Sequence, residues 1–335
     1  MRLDRSAPPG SVHRLTLDSS VLAGNFLGDP TIRLIDVYVP HGHDGKGLPL
    51  LVDLVGFTAG GPAHTNWRNF AENIPEQADR LIASGAMRPA VIAFPDCFTK
   101  LGGNQYINSA AIGRWADFLL QEAVPFVERT FRCGGSGRRG VFGKSSGGYG
   151  AITHALLHPD FWSASACHSG DMGFELLQLF DMPRCLRAFA KEGGIQPWLE
   201  GFFAKRKVKD DEVHVLMMLA MCATYDPDLS QFMGIRLPVD NETCELIPER
   251  WSNWMKWDPL TLVEERAEGL KKLKLLFIDC GDIDQYNLLY GARRMHRTLI
   301  RRGVPHIYEE FADDHSGIDY RMDRSLPLLS AALTG

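Results

Sequence analysis

The sequence Arg-Gly-Val-Phe-Gly-Lys-Ser-Ser-Gly-Gly-Tyr-Gly, residues 139–150, decides the fold. Gly143, Ser145 and Gly147 form the pattern G-x-S-x-G, which is typical of a sharp turn between a strand and a helix with an exposed serine at its apex. Glycines suit the flanking positions because a side chain there would strike the neighbouring strand or helix. The pattern predicts that Ser145 is a catalytic nucleophile.

The composition is that of an ordinary globular protein: 335 residues, 45% of them hydrophobic and 23% charged. The net charge of −5 gives no indication of a nucleic-acid partner. Residues 1–10 lack the apolar run of a secretory signal, and the longest apolar stretch, 213–223, is too short to span a membrane. The seven scattered cysteines include no C-x-x-C pair, so we expect reduced thiols in a cytoplasmic protein.

Strand patterns alternate with helical patterns on both sides of the serine turn. The predicted strands are 11–18, 31–39, 48–57, 89–94, 140–143, 161–168, 272–279 and 305–311, and the predicted helices are 73–84, 112–131 with a kink at Pro125, 147–157 and 287–302. The first two strands partly alternate apolar and polar residues, which predicts half-buried antiparallel strands at a sheet edge. The later apolar runs favour a buried parallel sheet. We therefore expect an α/β fold with a mostly parallel sheet of about eight strands and helices on both faces.

Residues 172–258 interrupt this alternation with helical patterns and no convincing strand. The helices are expected over 174–190, from Pro197, and from a cap at Asp210 or Asp211. We interpret the segment as a helical cap over the strand ends, with 1–171 and 259–335 forming the core; a helical layer unrelated to the pocket is the alternative. Within it, Met217, Met218 and Met221 suit either the cap core or an adaptable wall for an acyl group.

A serine nucleophile needs a base, and the base needs a carboxylate to orient it. The strand 272–279 is followed by Asp282 and Asp284, and the strand 305–311 is followed by His315. The order serine, acid, histidine is the one that this kind of turn requires. His315 is thus the predicted base, with Asp284 favoured over Asp282 as the acid. His168 also follows a strand, but too early in the chain, so we expect it to line the pocket or to be structural.

The reaction also needs donors for the oxyanion. One is expected to be the backbone N–H of Ser146, the residue after the nucleophile, and the other that of Phe57, just past Gly56 in the loop after the strand 48–56.

Three other signals have simpler explanations. Lys144 and Ser145 resemble the end of a P-loop, but Arg138 stands where that pattern needs glycine. His41, His43 and Asp44 could suggest a metal, yet they lie in a polar turn that we expect to be solvated. The basic stretch 205–209 is interpreted as an exposed face. No metal or other cofactor is expected.

Six motifs together resemble the esterase family of α/β-hydrolases, which includes esterase D (S-formylglutathione hydrolase), feruloyl, acetylxylan and enterochelin esterases, and the antigen 85 mycolyltransferases. The motifs are VYVP (37–40), LLVDLVGFTAGG (50–61), VIAFPD (91–96), GKSSGGYGA (143–151), IDCGDID (278–284) and DDHSGIDYR (313–321). The resemblance implies an α/β-hydrolase fold, carboxylic-ester hydrolysis without a cofactor, and a triad of Ser145, Asp284 and His315. Two positions depart from it: Val55 precedes Gly56 where many members have histidine, and Lys144 replaces a histidine.

The expected function is therefore that of a serine esterase acting through an acyl-enzyme on a small-molecule ester or thioester. The alternatives are acyl transfer to an alcohol by the same triad, and a non-catalytic binding protein that kept the fold. No nucleic-acid or membrane partner is expected, and a homo-oligomer is compatible with the sequence.

Overall fold

A computed structural model describes residues 6–334. The strands are β1 Ser11–Asp18, β2 Ile32–Val39, β3 Leu50–Leu54, β4 Val91–Pro95, β5 Asn108–Ser109, β6 Gly113–Arg114, β7 Arg139–Lys144, β8 Ala164–His168, β9 Leu275–Gly281 and β10 Ile307–Phe311. Eight of them form one sheet in the order β1-β2-β4-β3-β7-β8-β9-β10, and β5 pairs with β6 in a separate short ribbon. Only the β1–β2 and β2–β4 pairings in the large sheet are antiparallel. The predicted eight-stranded, mostly parallel sheet is confirmed.

The first two strands differ in burial more than the sequence suggested. β1 is the edge strand and is largely exposed, whereas β2 lies between β1 and β4 and is almost entirely buried. The expectation that both strands are half-buried was therefore wrong. Packed side chains cover both faces of β2: Ile35 and Val37 belong to one hydrophobic cluster and Tyr38 to another, and none of the three has exposed surface.

The helices are α1 Ile74–Ala83, α2 Trp115–Asp117, α3 Val124–Phe131, α4 Ser146–Leu157, α5 Phe174–Glu192, α6 Ile195–Phe203, α7 Asp210–Tyr225, α8 Pro248–Met255, α9 Pro259–Leu270, α10 Leu288–Arg302 and α11 Met322–Thr334. Apolar residues of α1 and α11 pack on one face of the sheet. Those of α4, α9 and α10 pack on the other. The predicted helices on both faces are thus confirmed, while α9 and α11 had not been predicted.

The helix predicted over 112–131 begins later and is not uniform. It starts at Trp115, widens to a π-helical stretch over Phe118–Ala123, and continues as α3 from Val124. Pro125 is the second residue of α3, where its missing N–H removes a hydrogen bond that a regular α-helix would need. The irregularity expected at Pro125 therefore takes the form of a π-helical segment just before it.

Two helix starts in the 172–258 segment differ from the prediction. Pro197 is the third residue of α6, not its first. α7 starts at Asp210 after Lys209, whose N–H donates to the Glu212 carboxylate at 3.0 Å. Asp210 and Asp211 therefore lie in the first turn, where negative charge is favourable, and neither is the cap.

The 172–258 segment shares one hydrophobic core with a face of the sheet. Phe174 of α5 packs on Tyr225 of α7, with ring centroids 4.9 Å apart, and on Tyr149 of α4 at 6.1 Å. The Tyr149 hydroxyl donates to the Trp257 carbonyl at 3.0 Å, which joins α4 to the end of the segment. The inserted helices thus rest directly on the helix that follows Ser145.

The minor sequence signals have ordinary surroundings. His41, His43 and Asp44 are exposed, as are residues 205–209. No disulfide joins the seven cysteines, and all except Cys244 are buried. Among residues 6–334 there is no group of His, Cys, Asp or Glu side chains suited to hold a metal ion. No helix within those residues combines the length and apolar character that a membrane span needs.

Candidate active site

Ser145 occupies a strained turn between β7 and α4. Its φ of 58° and ψ of −125° lie in a region that non-glycine residues rarely adopt. The turn is held by two backbone hydrogen bonds: the Ser145 N–H donates to the His168 carbonyl at 3.0 Å, and the Ser145 carbonyl accepts from the Tyr149 N–H at 2.8 Å. Such strain is typical of a functional site, because the surrounding structure must fix the conformation.

The flanking glycines are required by close backbone contacts. A Cβ atom on Gly143 would lie 2.2 Å from the Leu54 carbonyl oxygen, and one on Gly147 would lie 1.7 Å from it. A Cβ atom on Gly148 would lie 2.7 Å from the His168 carbonyl oxygen. The G-x-S-x-G pattern therefore reflects the tight packing of this turn against β3. β7 runs through Lys144 straight into Ser145, which leaves no room for the loop of a P-loop.

His315 is paired with Asp284 beside this turn. The His315 Nδ1 atom lies 2.8 Å from the Asp284 Oδ2 atom, and the Asp284 side chain is fully buried. The other carboxylate oxygen accepts the Tyr286 N–H at 2.9 Å. The Tyr286 ring meets the imidazole edge-on, with centroids 4.8 Å apart. Asp284 and Tyr286 thus orient the imidazole, and the His315 backbone N–H anchors its loop by donating to the Gln285 side-chain oxygen at 2.9 Å.

The two competing assignments have different environments. Asp282 is exposed, and its backbone N–H donates to the Phe311 carbonyl at 2.9 Å, which extends the pairing of β9 with β10 by one residue. His168 is fully buried, with Nδ1 2.7 Å from Asp279 and Nε2 2.8 Å from the Ser325 hydroxyl. Both ring nitrogens of His168 are therefore occupied, which fits the structural role weighed for it from the sequence.

Ser145 and His315 line the same cavity, of about 490 Å³. Within residues 6–334 the Ser145 hydroxyl makes no direct hydrogen bond to the imidazole. Catalytic hydrogen bonds are often long without substrate and shorten when substrate binds. The structure therefore brings Ser145, His315 and Asp284 to one site, in which the hydrogen bond between the serine and the histidine is not formed.

The two expected oxyanion donors flank Ser145. A Cβ atom on Gly56 would lie 3.6 Å from the Ser145 Cβ atom, so the loop that carries Phe57 passes beside the serine. Phe57 lines the cavity. Ser146 is the first residue of α4, and a first-turn N–H has no acceptor within its own helix. Both backbone N–H groups belong to segments that adjoin the nucleophile.

The inserted helices form one wall of the cavity. Leu177 and Gln178 of α5 and Val213, His214 and Met217 of α7 line it. Met218 and Met221, by contrast, are each 1% exposed and belong to the hydrophobic core. Met217 therefore lies at the cavity, whereas Met218 and Met221 lie in the core.

Asp171 is a cavity residue that the sequence analysis missed. It is 5% exposed, and burial raises its pKa to about 6. The Gln105 side-chain N–H₂ group donates to the Ser146 hydroxyl at 2.8 Å and to Asp171 at 3.3 Å. Asp171 comes three residues after β8, and its position at the carboxyl end of a predicted strand is the signal that could have revealed it.

His64 also lines the cavity, paired with a buried aspartate, and was missed. The His64 Nδ1 atom lies 2.6 Å from Asp53, whose side chain on β3 is fully buried. Burial lowers the pKa of His64, but the charge and hydrogen bond of Asp53 more than offset this, so the pKa is raised overall. Asp53 stands inside an apolar run, and a carboxylate buried there needs a partner.

Solved structures that resemble the chain include esterases and related hydrolases. A ferulic acid esterase is 18% identical, with a TM-score of 0.62 over 97% of this chain and 99% of that chain. FphF, a fluorophosphonate-binding serine hydrolase of Staphylococcus aureus, is 16% identical, with a TM-score of 0.60 over 96% and 99%. An S-formylglutathione hydrolase of Agrobacterium tumefaciens is 16% identical, with a TM-score of 0.57 over 97% and 96%. At these identities the similarity establishes the α/β-hydrolase fold.

No curated protein sequence is significantly similar to the chain. The family model described as "Putative esterase" matches residues 32–323, which is most of the chain and includes the Ser145 turn, Asp284 and His315. The chain therefore belongs to this esterase family and has the α/β-hydrolase fold.

Proposed function

We propose that the protein hydrolyses carboxylic esters through an acyl-enzyme, with Ser145 as the nucleophile, His315 as the base and Asp284 as the group that orients the imidazole. The observation that carries this proposal is the 2.8 Å pair of His315 and Asp284, which opens on the same cavity as the strained Ser145 turn.

In the first step His315 takes the proton of the Ser145 hydroxyl as the oxygen attacks the ester carbonyl carbon. The protonated imidazole then gives this proton to the departing alcohol, which leaves the acyl group on Ser145. In the second step His315 deprotonates a water molecule, which attacks the acyl-enzyme, and the proton returns to Ser145 as the acid leaves. Asp284 holds the Nδ1–H tautomer and stabilises the imidazolium in both steps.

The oxyanion of each tetrahedral intermediate would accept hydrogen bonds from the N–H groups of Phe57 and Ser146. The removal of one such donor typically costs a factor of about 10²–10³ in rate. The Gln105 amide would help to hold Ser146 in place for this role, since it donates to the Ser146 hydroxyl at 2.8 Å.

The test is the hydrolysis of 4-nitrophenyl acetate by the wild type and by Ser145→Ala. We expect kcat to fall by a factor of about 10⁴ or more, because the covalent route is lost. Ser136→Ala, a change of an exposed serine in a turn, is the matched control and should retain the wild-type rate. Full turnover by a correctly folded Ser145→Ala protein would refute the proposal.

The natural substrate can be sought among the esters named for similar structures. Ethyl ferulate and S-formylglutathione correspond to the ferulic acid esterase and the S-formylglutathione hydrolase. A kcat/KM near 10⁴ M⁻¹s⁻¹ or above for one of them would be in the range of a working enzyme.

A further inference from the structure

Lys144 places a cation in the cavity next to the nucleophile. It is the last residue of β7 and directly precedes Ser145, and both line the cavity. Across the part of the chain that the structure describes, the Lys144 ammonium has neither a hydrogen bond nor an ion pair. A partly buried ammonium without a counter-ion is unfavourable, since the lost hydration is not replaced.

Most charged neighbours of Lys144 have other partners; within residues 6–334 Asp314 alone among those that act on it is in no ion pair, and its carboxylate accepts the Ser316 backbone N–H at 2.6 Å. Arg68 donates to the Asp319 carboxylate, and His64 is bound to Asp53 at 2.6 Å. The pKa of Lys144 is lowered by burial, and the largest opposing effect is the charge of Asp319. Asp319 is committed to Arg68, so it leaves the ammonium of Lys144 without a partner of its own.

Lys144, Arg68 and His64 thus form a basic wall in the cavity, and we call these three residues the basic wall. Each of them lines the cavity, as does Asp319, which interacts electrostatically with all three. Asp171, the other cavity carboxylate, interacts electrostatically with His315 and Asp284. A negatively charged substrate group at the basic wall would give Lys144 the partner that the protein does not supply.

We propose that Lys144 recognises a carboxylate on the substrate, so that the enzyme prefers short esters with an anionic group a few bonds from the scissile carbonyl. A short distance is expected because Lys144 and Ser145 are adjacent, with Cα atoms about 3.8 Å apart, and both line the same cavity. This inference rests on the proposed function and names the substrate class of the same site.

The experiment compares anionic esters with neutral isosteres. On the acyl side, monoethyl succinate is compared with ethyl 4-methylpentanoate, in which an isopropyl group replaces the carboxylate. On the alcohol side, 3-acetoxypropanoate is compared with isopentyl acetate. We expect the wild type to prefer the anionic ester in one of the two arms by a factor of at least about ten in kcat/KM, as a charge-assisted hydrogen bond would provide. The arm that shows the preference identifies the part of the ester that carries the anion.

The preference should depend on the charge at position 144. Lys144→Met should abolish the anionic preference, because methionine carries no charge, and Lys144→Arg should retain most of it. The preference is measured as a ratio of two esters, so a general loss of activity does not change it. Lys191→Met, which removes an exposed lysine near the end of α5, should leave the ratio at its wild-type value.

Two results would overturn the inference. One is a wild type that hydrolyses neutral esters with no anionic preference in either arm, which leaves the proposed function intact. The other is a preference that Lys144→Met retains in full. If the wild type hydrolyses none of these four esters, their rates give no ratio, and the proposed function fails only if 4-nitrophenyl acetate is not hydrolysed either. In that case the affinities of Ser145→Ala for monoethyl succinate and ethyl 4-methylpentanoate, measured by calorimetry, test whether the cavity selects a carboxylate. Equal affinities would refute the inference.

Discussion

Asp284 and Asp282 lie two residues apart, and only their surroundings separate them. Asp284 is buried against His315, with both carboxylate oxygens accepting hydrogen bonds, whereas Asp282 is exposed. The sequence placed both at the end of a late strand and favoured Asp284, but spacing alone left Asp282 open. The two differ because the turn after β9 packs against the loop that carries His315, and only Asp284 contacts the imidazole there.

The two aspartates give a matched pair of variants. Asp284→Asn should lower kcat by a factor of about 10⁴, because an amide stabilises the wrong imidazole tautomer. Asp282→Asn should retain the wild-type rate, since this side chain is exposed. The measurement is kcat/KM for 4-nitrophenyl acetate, with circular dichroism to verify folding. Equal losses in both variants would contradict the assignment of the acid.

Asp171 makes a prediction about stability. Its pKa is raised from an ordinary 3.8 to about 6 by burial, so between these pH values the folded protein binds more protons than the unfolded chain. The free energy of unfolding therefore decreases as the pH rises through this window. Asp171→Asn avoids this loss and should be more stable than the wild type at pH 7, by about 1–3 kcal/mol. Near pH 4 the difference should vanish.

Urea unfolding at pH 4, 5, 6 and 7 measures this difference. Asp211→Asn, in the exposed first turn of α7, is the control and should show a small difference that does not follow the same window. A stability gain by Asp171→Asn that is equal at pH 4 and pH 7 would show that the carboxylate does not titrate as described.

At the scale of elements, the nucleophile turn depends on backbone contacts with β3. Gly147→Ala would place a methyl group 1.7 Å from the Leu54 carbonyl oxygen, and neither backbone can move freely. We expect a loss of at least about 2 kcal/mol in the free energy of unfolding, together with loss of esterase activity. Denaturant unfolding and 4-nitrophenyl acetate turnover measure the two effects.

Gly201 in α6 offers the matched control for this substitution. A Cβ atom there meets nothing within 4 Å, and the position is in the interior of a helix. Gly201→Ala should therefore stabilise the protein by about 0.5–1 kcal/mol and leave turnover unchanged. A Gly147→Ala protein as stable as Gly201→Ala would contradict the packing described for the turn.

Helix α7 carries one methionine into the cavity and the next into the core. Met217→Ala should widen the cavity and shift the preference of the enzyme toward longer acyl chains. Met218→Ala should instead lower the free energy of unfolding by about 2–5 kcal/mol, as a core deletion does, without a change in chain-length preference. Rates for 4-nitrophenyl esters from acetate to octanoate, with thermal unfolding, separate the two. Identical chain-length profiles for wild type and Met217→Ala would argue against a cap that shapes the site.

At the scale of the whole molecule, the sheet was the most predictable part. Continuous apolar runs mark its parallel strands because a strand buried on both faces has no room for alternation. The helices α9 and α11 were missed, as was the interior position of β2, since their burial depends on neighbours distant in the sequence. Periodicity indicates that a segment has a buried face but does not identify what covers it.

The same limit applies to the site. Ser145, Asp284 and His315 could be proposed because each follows a strand in a required order. The Arg68–Asp319 pair joins residues 251 positions apart, and the His64–Asp53 pair depends on a turn folding back over β3. No local pattern encodes such contacts. The basic wall around Lys144 therefore became visible only in three dimensions, although Lys144 itself stood out in the sequence.

The most direct test of the account is the site of covalent labelling by a fluorophosphonate probe. The wild type should gain the mass of one phosphonyl group, and peptide mapping should place it on Ser145. Labelling should be greatly slowed in the His315→Ala variant, since the serine then lacks its base. A label on another residue, or no label on a folded wild-type protein, would contradict the assignment of Ser145 as the nucleophile.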